Sequence, residues 1–205
     1  MITIALAKGR LATKGLERLI QSGITFSEYD EKSRKLIFES DDKQARIVFV
    51  KAMDVPTYVS LGIADVGIVG KDVLLESDGV VNELADLKFG ACRLCVCGLK
   101  PLPTDRKPII ASKYPRVSER YFNAHGIDVD IIKLEGSVEL APLLQLADGI
   151  VDIVESGLTL KENNLNIYTT ITTSSARLIV NPRSYKIKLK ALQPIIKAIH
   201  QGESV

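Results

Sequence analysis

The chain has 205 residues, with 27 Lys and Arg against 25 Asp and Glu and a formal net charge of +2, so no global basic field drives non-specific nucleic-acid binding. Aromatic residues make up 5% and Trp is absent, too few for a base-stacking platform. No run approaches ~18 apolar residues, the length a membrane-spanning helix needs, and the N-terminus reads as the start of a strand, not an export leader.

Strand-like and helix-like segments alternate along the chain, the pattern of an α/β fold. Residues 2–7 read as a strand and 11–21 as a helix, with Leu11, Leu16, Leu19 and Ile20 at helical spacing and Gly23 as its stop. Residues 35–39 and 45–50 read as a strand pair around the charged turn 40–43. Asp54 is the expected N-cap of a helix to Leu61, with Pro56 in its first turn and Gly62 ending it. A strand is expected at 65–69, then a short helix capped by Asp72.

The pattern restarts near residue 90. Strand 89–99, a Pro-rich loop 100–108, strand 109–112 and helix 116–125 lead to strand 129–134. Helix 139–146, strand 150–154, helix 159–163, strands 167–173 and 176–180, and an amphipathic helix 187–200 complete the chain. The restart near 90 and the return near 175 imply two crossings between two α/β lobes; one continuous sheet is the alternative that composition leaves open. Ligands in such folds sit beyond the carboxyl ends of strands.

Cys92, Cys95 and Cys97 fall in one apolar strand. A C-x2-C pair suggests zinc, but His125 and His200 are distant and isolated, so two ligands are lacking. The cysteines read as buried small hydrophobes in a reducing cytoplasm, and no metal-ligating set is expected.

Four segments carry candidate chemistry. Residues 149–160 run from an apolar strand into Ser156-Gly157-Leu158-Thr159-Leu160, where Gly157 permits a tight turn and the N–H groups and hydroxyls can converge on a phosphate monoester. Asp152, earlier on the strand, offers a carboxylate to ribose hydroxyls or Mg²⁺. An ordinary helix with Ser or Thr as N-cap is the structural alternative. Ala7-Lys8-Gly9-Arg10-Leu11 puts two cations at another strand end, an anion site or a solvated basic turn; it lacks the spacing of a Walker loop. Lys51 to Pro56 and Asp65 to Asp72 form the third, where Gly67 and Gly70 bracket a strand end and let a flat ring approach backbone, a turn before a capped helix being the alternative. Glu135 and Glu139 form the fourth; the second carboxylate opens a helix, where capping alone accounts for it.

Together these segments resemble the ATP phosphoribosyltransferase family, which opens histidine biosynthesis. The resemblance is carried by Glu139, Ala147, Ile150, Asp152, Ile153, Ser156, Gly157, Thr159 and Leu160, by Leu6 to Leu11, and by the blocks 54–59 and 67–74. It departs where the family has glycine and this chain has Gln145, and where the family has Arg near Lys51 and a polar or basic group near Met53.

The resemblance implies a two-lobed, periplasmic-binding-protein-like (type II) α/β fold with a ligand cleft between the lobes. Residues 1–89 with 178–205 would form the ATP-side lobe and 90–177 the lobe for phosphoribosyl pyrophosphate (PRPP). It implies joining of ATP N1 to PRPP with release of pyrophosphate. Lys8, Arg10, Glu139 and Asp152 become the expected catalytic residues. Lys51, Gly70, Asp72, Glu155, Ser156, Gly157, Leu158, Thr159 and Leu160 become the expected substrate-binding ones, with Mg²⁺ as cofactor. The chain reads as the family's short form, a cytoplasmic homodimer within a hetero-oligomer whose regulatory subunit resembles histidyl-tRNA synthetase. The rival reading is a non-catalytic cytoplasmic ligand-binding or silent subunit of the same fold.

Overall fold

In a computed structural model, residues 1–200 are described. In chain order, β1 (Ile2–Ala7), α1 (Arg10–Gln21), β2 (Ile37–Glu39), β3 (Ala45–Val50), α2 (Val55–Ser60), β4 (Val66–Gly70), α3 (Lys71–Glu76) and β5 (Asn82–Asp86) come first. Then follow β6 (Cys92–Gly98), β7 (Ile109–Ser112), α4 (Pro115–Ala124), β8 (Asp130–Lys133), α5 (Leu140–Leu143), β9 (Gly149–Val154), α6 (Leu158–Glu162) and β10 (Asn166–Ser174). Last come β11 (Ala176–Val180), α7 (Pro182–Ile187) and α8 (Leu189–His200).

The chain forms two units: Met1–Gly90 with the residues from Ser175 onward, and Ala91–Ser174. The cuts fall one and three residues from those expected from the sequence, because β11 from Ala176 pairs wholly within the first sheet. The expected first lobe also included 201–205, which lie outside the described residues.

Side-chain alternation organises the first unit, whose mixed sheet runs β2-β3-β1-β4-β11-β5. Ile2, Ile4 and Leu6 of β1 join one core with Leu16 and Leu19 of α1 and Leu192, Ile195 and Ile199 of α8. Ala5 and Ala7 face the other way, into a core with Val55 and Val59 of α2 and Val73 of α3. The sheet is thus covered on both faces, as period-two alternation between two apolar sides requires. Gly67 lacks a side chain because Val55 and Val59 occupy that space: an added Cβ would stand 2.8 and 3.0 Å from their methyls. The sequence reading of Gly67 as an approach for a flat ring is therefore corrected to close helix packing.

Asp65, 2% exposed, fixes the start of β4. Its carboxylate accepts from the Thr3 N–H at 2.9 Å, the Ser184 hydroxyl at 2.6 Å and Lys188 Nζ at 2.9 Å. Burial pushes its pKa up, but the bonds from Ser184, Thr3 and Lys188 together outweigh that and hold it below the usual carboxylate value.

The second unit carries the sheet β10-β6-β9-β7-β8. Cys95, Cys97, Ala111, Ile150 and Val154 share one core with Val138, Ala141 and Leu160. The alternate residues Leu94, Val96, Ile110 and Val151 are equally buried, and α4 lies against β7 and β8. On β6, Cys92 and Cys95 are an odd number of residues apart and so project to opposite faces. That geometry rules out chelation by the pair.

Several helices differ from expectation. The segment read as one helix 139–146 stops at Leu143, because Gln145 adopts φ 59 and the Leu146 and Gln145 N–H groups close back on Ala141 and Pro142. This is the same left-handed stop that Gly23 and Gly126 supply elsewhere. Left-handed backbone costs a side-chain-bearing residue ~1–2 kcal/mol, partly offset by glycine's greater chain entropy. Gln145→Gly is therefore expected to stabilise the protein by about 0.5–1 kcal/mol, read as a raised urea midpoint at unchanged m-value.

Asp72 does not cap α3; Gly70 holds the N-cap position and Asp72 sits inside the first turn. Asp54 does take the N-cap of α2, after a single 3-10 turn, but its side chain makes no capping bond. The expected helix 187–200 is α8, which begins two residues later at Leu189, and a separate helix, α7, precedes it where none was expected. Asn181 accepts from the Ser184 N–H and Pro182 opens α7, which ends before α8 begins.

Candidate active site

β3, β1 and β4 run parallel, with Ala7 opposite Val50 and Leu6 opposite Ile68. Their carboxyl ends therefore bring Lys8-Gly9-Arg10, Lys51 and Gly70-Lys71-Asp72 to one edge of the first sheet. Gly9 has φ 114, and nothing lies within 4 Å of an added Cβ. Glycine is demanded there by the backbone turn, not by crowding. Lys8 holds its ammonium 5.9 Å from the Phe49 ring centroid. Arg10 opens α1 and is exposed, as is Lys51 beyond β3.

The glycine at the end of β4 has a local cause. Asp72 is 6% exposed, and its Oδ1 lies where a Gly70 side chain would have to go. The neighbouring Lys71 is tied to Glu83 at 2.5 Å, so its charge is locally answered. A cavity of ≈160 Å³ opens beside Lys8 and Gly9, lined also by Tyr29, Phe38 and Phe49. The three rings form a cluster with centroids 5.3 to 6.0 Å apart. The sequence reading did not single them out: 9 to 20 residues separate these aromatics along the chain, and only the β2-β3 hairpin joins two of them.

The second unit gathers the other expected residues within itself. β9 places Asp152 opposite Cys95 and ends at Val154, followed by exposed Glu155 and Ser156. Gly157 then adopts φ 78 and serves as N-cap of α6 without a side-chain capping bond. Neither Ser nor Thr holds the N-cap position. Ser156 Oγ accepts from the Leu158 N–H at 3.3 Å, and Thr159 and Leu158 are exposed while Leu160 anchors the turn in the core. A depression of ≈540 Å³ starts at Gly157 and runs along Lys161 and Asn164.

Asp152 is half-buried, and its Oδ1 accepts the N–H of Ile153 at 2.8 Å. Its charge reaches the neighbouring strand: burial first, then Cys95 and Asp152, push the Cys97 thiol up to about 12, against a smaller opposing pull from Arg93. Cys97 is thus an inert thiol in the core. Glu139 precedes α5, half-buried, and makes no side-chain capping bond. Among the described residues no group of three or more His, Cys, Asp or Glu is arranged to hold a metal ion.

The strand register adds two cations that the sequence reading passed over. Arg93 pairs with Val154 across β6 and β9, and Lys113 follows Ser112, the last residue of β7, which pairs with Val151. Their sequence signal was only a basic residue at each end of an apolar strand, which is common on solvated edges.

Comparison with known proteins follows this geometry. The ATP phosphoribosyltransferase (HisG) family model matches residues 51–201. The ATP phosphoribosyltransferase of Oceanobacillus iheyensis is 48% identical over 200 residues, covering 97% of this chain and 96% of its own. That of Caldicellulosiruptor bescii is 53% identical over 193 residues, covering 92% of each. Among solved structures, the ATP phosphoribosyl transferase (HisG:HisZ) complex from Thermotoga maritima matches with a TM-score of 0.84 and 37% identity, over 97% of this chain and 98% of that one.

Proposed function

The chain belongs to the ATP phosphoribosyltransferase family, the transferases of the first step of histidine biosynthesis, and from that premise we propose how its residues divide the reaction. The fold is of the two-lobed type II periplasmic-binding-protein-like class, and family membership makes the chain an enzyme, displacing the non-catalytic reading. In the reaction the lone pair of adenine N1 forms a bond to C1 of PRPP. The bond from C1 to the pyrophosphate oxygen breaks, its electron pair leaves with pyrophosphate, and C1 inverts. Adenine N1 is already nucleophilic, so the protein supplies orientation and stabilisation of charge on the leaving group and ribose.

We assign the 5′-phosphate to Ser156, Gly157, Leu158, Thr159 and Leu160, with Glu155 at the loop's entry and Asp152 beneath the ribose hydroxyls. The observation that carries this reading is left-handed Gly157 at the end of β9, which opens α6 with no N-cap side chain over its first turn, where the Leu158 N–H is held by Ser156 Oγ. Lys8, Arg10 and Lys51 are assigned to the polyphosphate charge, and Gly70 with Asp72 to the adenine side. Glu139 is assigned to orienting a ring or cation. Thr159→Val is expected to weaken PRPP binding by roughly 1–3 kcal/mol, measured by titration calorimetry. An unchanged affinity would leave its hydroxyl without that role.

Magnesium fits these residues only as an ion carried by substrate. Isolated carboxylates such as Asp152 and Glu155 suit a cation that keeps its waters and phosphate oxygens. When bound, it would neutralise charge on the departing pyrophosphate. The Thermotoga maritima match is to a HisG:HisZ complex, which supports a regulatory partner of that type here, resembling histidyl-tRNA synthetase, with a homodimer of this chain inside the assembly. No described helix is long and apolar enough to cross a membrane, and we place the enzyme in the cytoplasm.

The test is absorbance-monitored formation of phosphoribosyl-ATP from ATP, PRPP and Mg²⁺ with pyrophosphatase, with and without the partner subunit. Product in either arm is the expected result. Its absence in both, with PRPP binding intact, would overturn the assignment of these residues to catalysis.

A further inference from the structure

Asp152 stands between two cations of the second unit, Arg93 and Lys113. On β6, Arg93 has the same strand parity as Cys95, the residue opposite Asp152, so Arg93 and Asp152 are diagonal neighbours on one face. Such neighbours lie roughly 7–8 Å apart, within reach of a long side chain. On the other flank, β7 runs parallel to β9 with Ser112 level with Val151, so Lys113 comes level with Asp152. Adjacent strands are about 4.8 Å apart there. Arg93 is exposed in a strand whose next five residues are buried, and Lys113 is half-buried. Neither has a hydrogen-bond or ion-pair partner among the described residues.

From this placement we propose that Arg93 and Lys113 bind the diphosphate of PRPP, one from each side of Asp152. The inference rests on the assignment of the 155–160 loop to the 5′-phosphate and of Asp152 to the ribose. The division of chemistry favours it. The loop offers neutral donors, N–H groups and hydroxyls, suited to a monoester whose charge is constant through the reaction. The diphosphate gains charge as the C1–O bond breaks, and its proper complement is full positive charge on side chains not already paired. Arg93, with its planar fork, can bridge two phosphate oxygens, whereas Lys113 supplies a point charge.

The experiment is calorimetric titration of wild type, Arg93→Met, Arg93→Lys and Lys113→Met with three probes: PRPP, magnesium pyrophosphate and ribose 5-phosphate. Expected is a rise of about tenfold in Kd for PRPP and pyrophosphate in each Met variant, an unchanged Kd for ribose 5-phosphate, and partial recovery in Arg93→Lys. Unchanged PRPP and pyrophosphate binding in both Met variants would overturn the proposal while leaving the loop assignment standing. Equal losses for all three probes would also overturn it, because that is the signature of a structural role. Wild type that binds pyrophosphate but not ribose 5-phosphate would instead overturn the loop assignment, and this proposal with it.

Discussion

Replacing Asp152 with Asn is expected to lower kcat/KM for PRPP by about 10²–10³-fold at unchanged fold. A carboxylate that accepts from two ribose hydroxyls makes two charge-assisted bonds of roughly 1.5–3 kcal/mol each, and the neutral amide loses most of both. Asn keeps an oxygen at the position that accepts the Ile153 N–H at 2.8 Å, so the end of β9 should hold. Steady-state kinetics at varied PRPP, beside a thermal melt, separates the two effects. Normal turnover in a folded variant would remove Asp152 from the ribose.

The largest loss of stability is expected from Asp65→Ala. That carboxylate is 2% exposed and joins β1, β4, α7 and α8 through Thr3, Ser184 and Lys188. Its removal leaves a buried N–H and a buried hydroxyl without acceptors and Lys188 without its counter-charge, a cost of about 3–5 kcal/mol. Tm should fall by roughly 6–20 °C for a chain of this size. Because the pKa of Asp65 is lowered by folding, its contribution is complete above the unfolded carboxylate range and disappears as pH drops through the lower folded value. Chemical unfolding of wild type should therefore weaken below about pH 4, and Asp65→Ala should flatten that part of the profile. An identical acid slope in the variant would assign it to other carboxylates.

The order of strands and helices was readable where burial is two-sided. β1, β4, β9 and β11 are predominantly apolar runs in the sequence, broken by at most one polar residue each, and are fully or mostly buried in the fold. β5 was not readable, because Asn-Glu-Leu-Ala-Asp is a sheet-edge strand whose outer residues face water and carry no apolar pattern. The start of α7 was signalled by Asn181-Pro182, yet the apolar stripe of α8 beyond it masked the signal. Gln145 hid a helix stop, since nothing about glutamine announces a left-handed backbone.

At the candidate site, the loop 155–160 was legible because glycine, hydroxyls and a strand end coincide in one short stretch. The aromatic trio Tyr29, Phe38 and Phe49, and the flanking Arg93 and Lys113, were not. Their proximity comes from strand register, and register is set by pairings between segments far apart in the chain.

The place of β11 has a consequence for how the chain is made. β11 pairs with β4 on one side and β5 on the other, yet the whole of Ala91–Ser174 is synthesised between β5 and β11. The inserted unit is contiguous and leaves the ribosome complete, whereas the first sheet waits with a gap beside its edge strand β5 until residue 180 emerges. During vectorial synthesis the later-begun unit is therefore the first that can close. A nascent chain arrested before β11 would expose the unpaired edges of β4 and β5, the state most exposed to aggregation and to capture by chaperones.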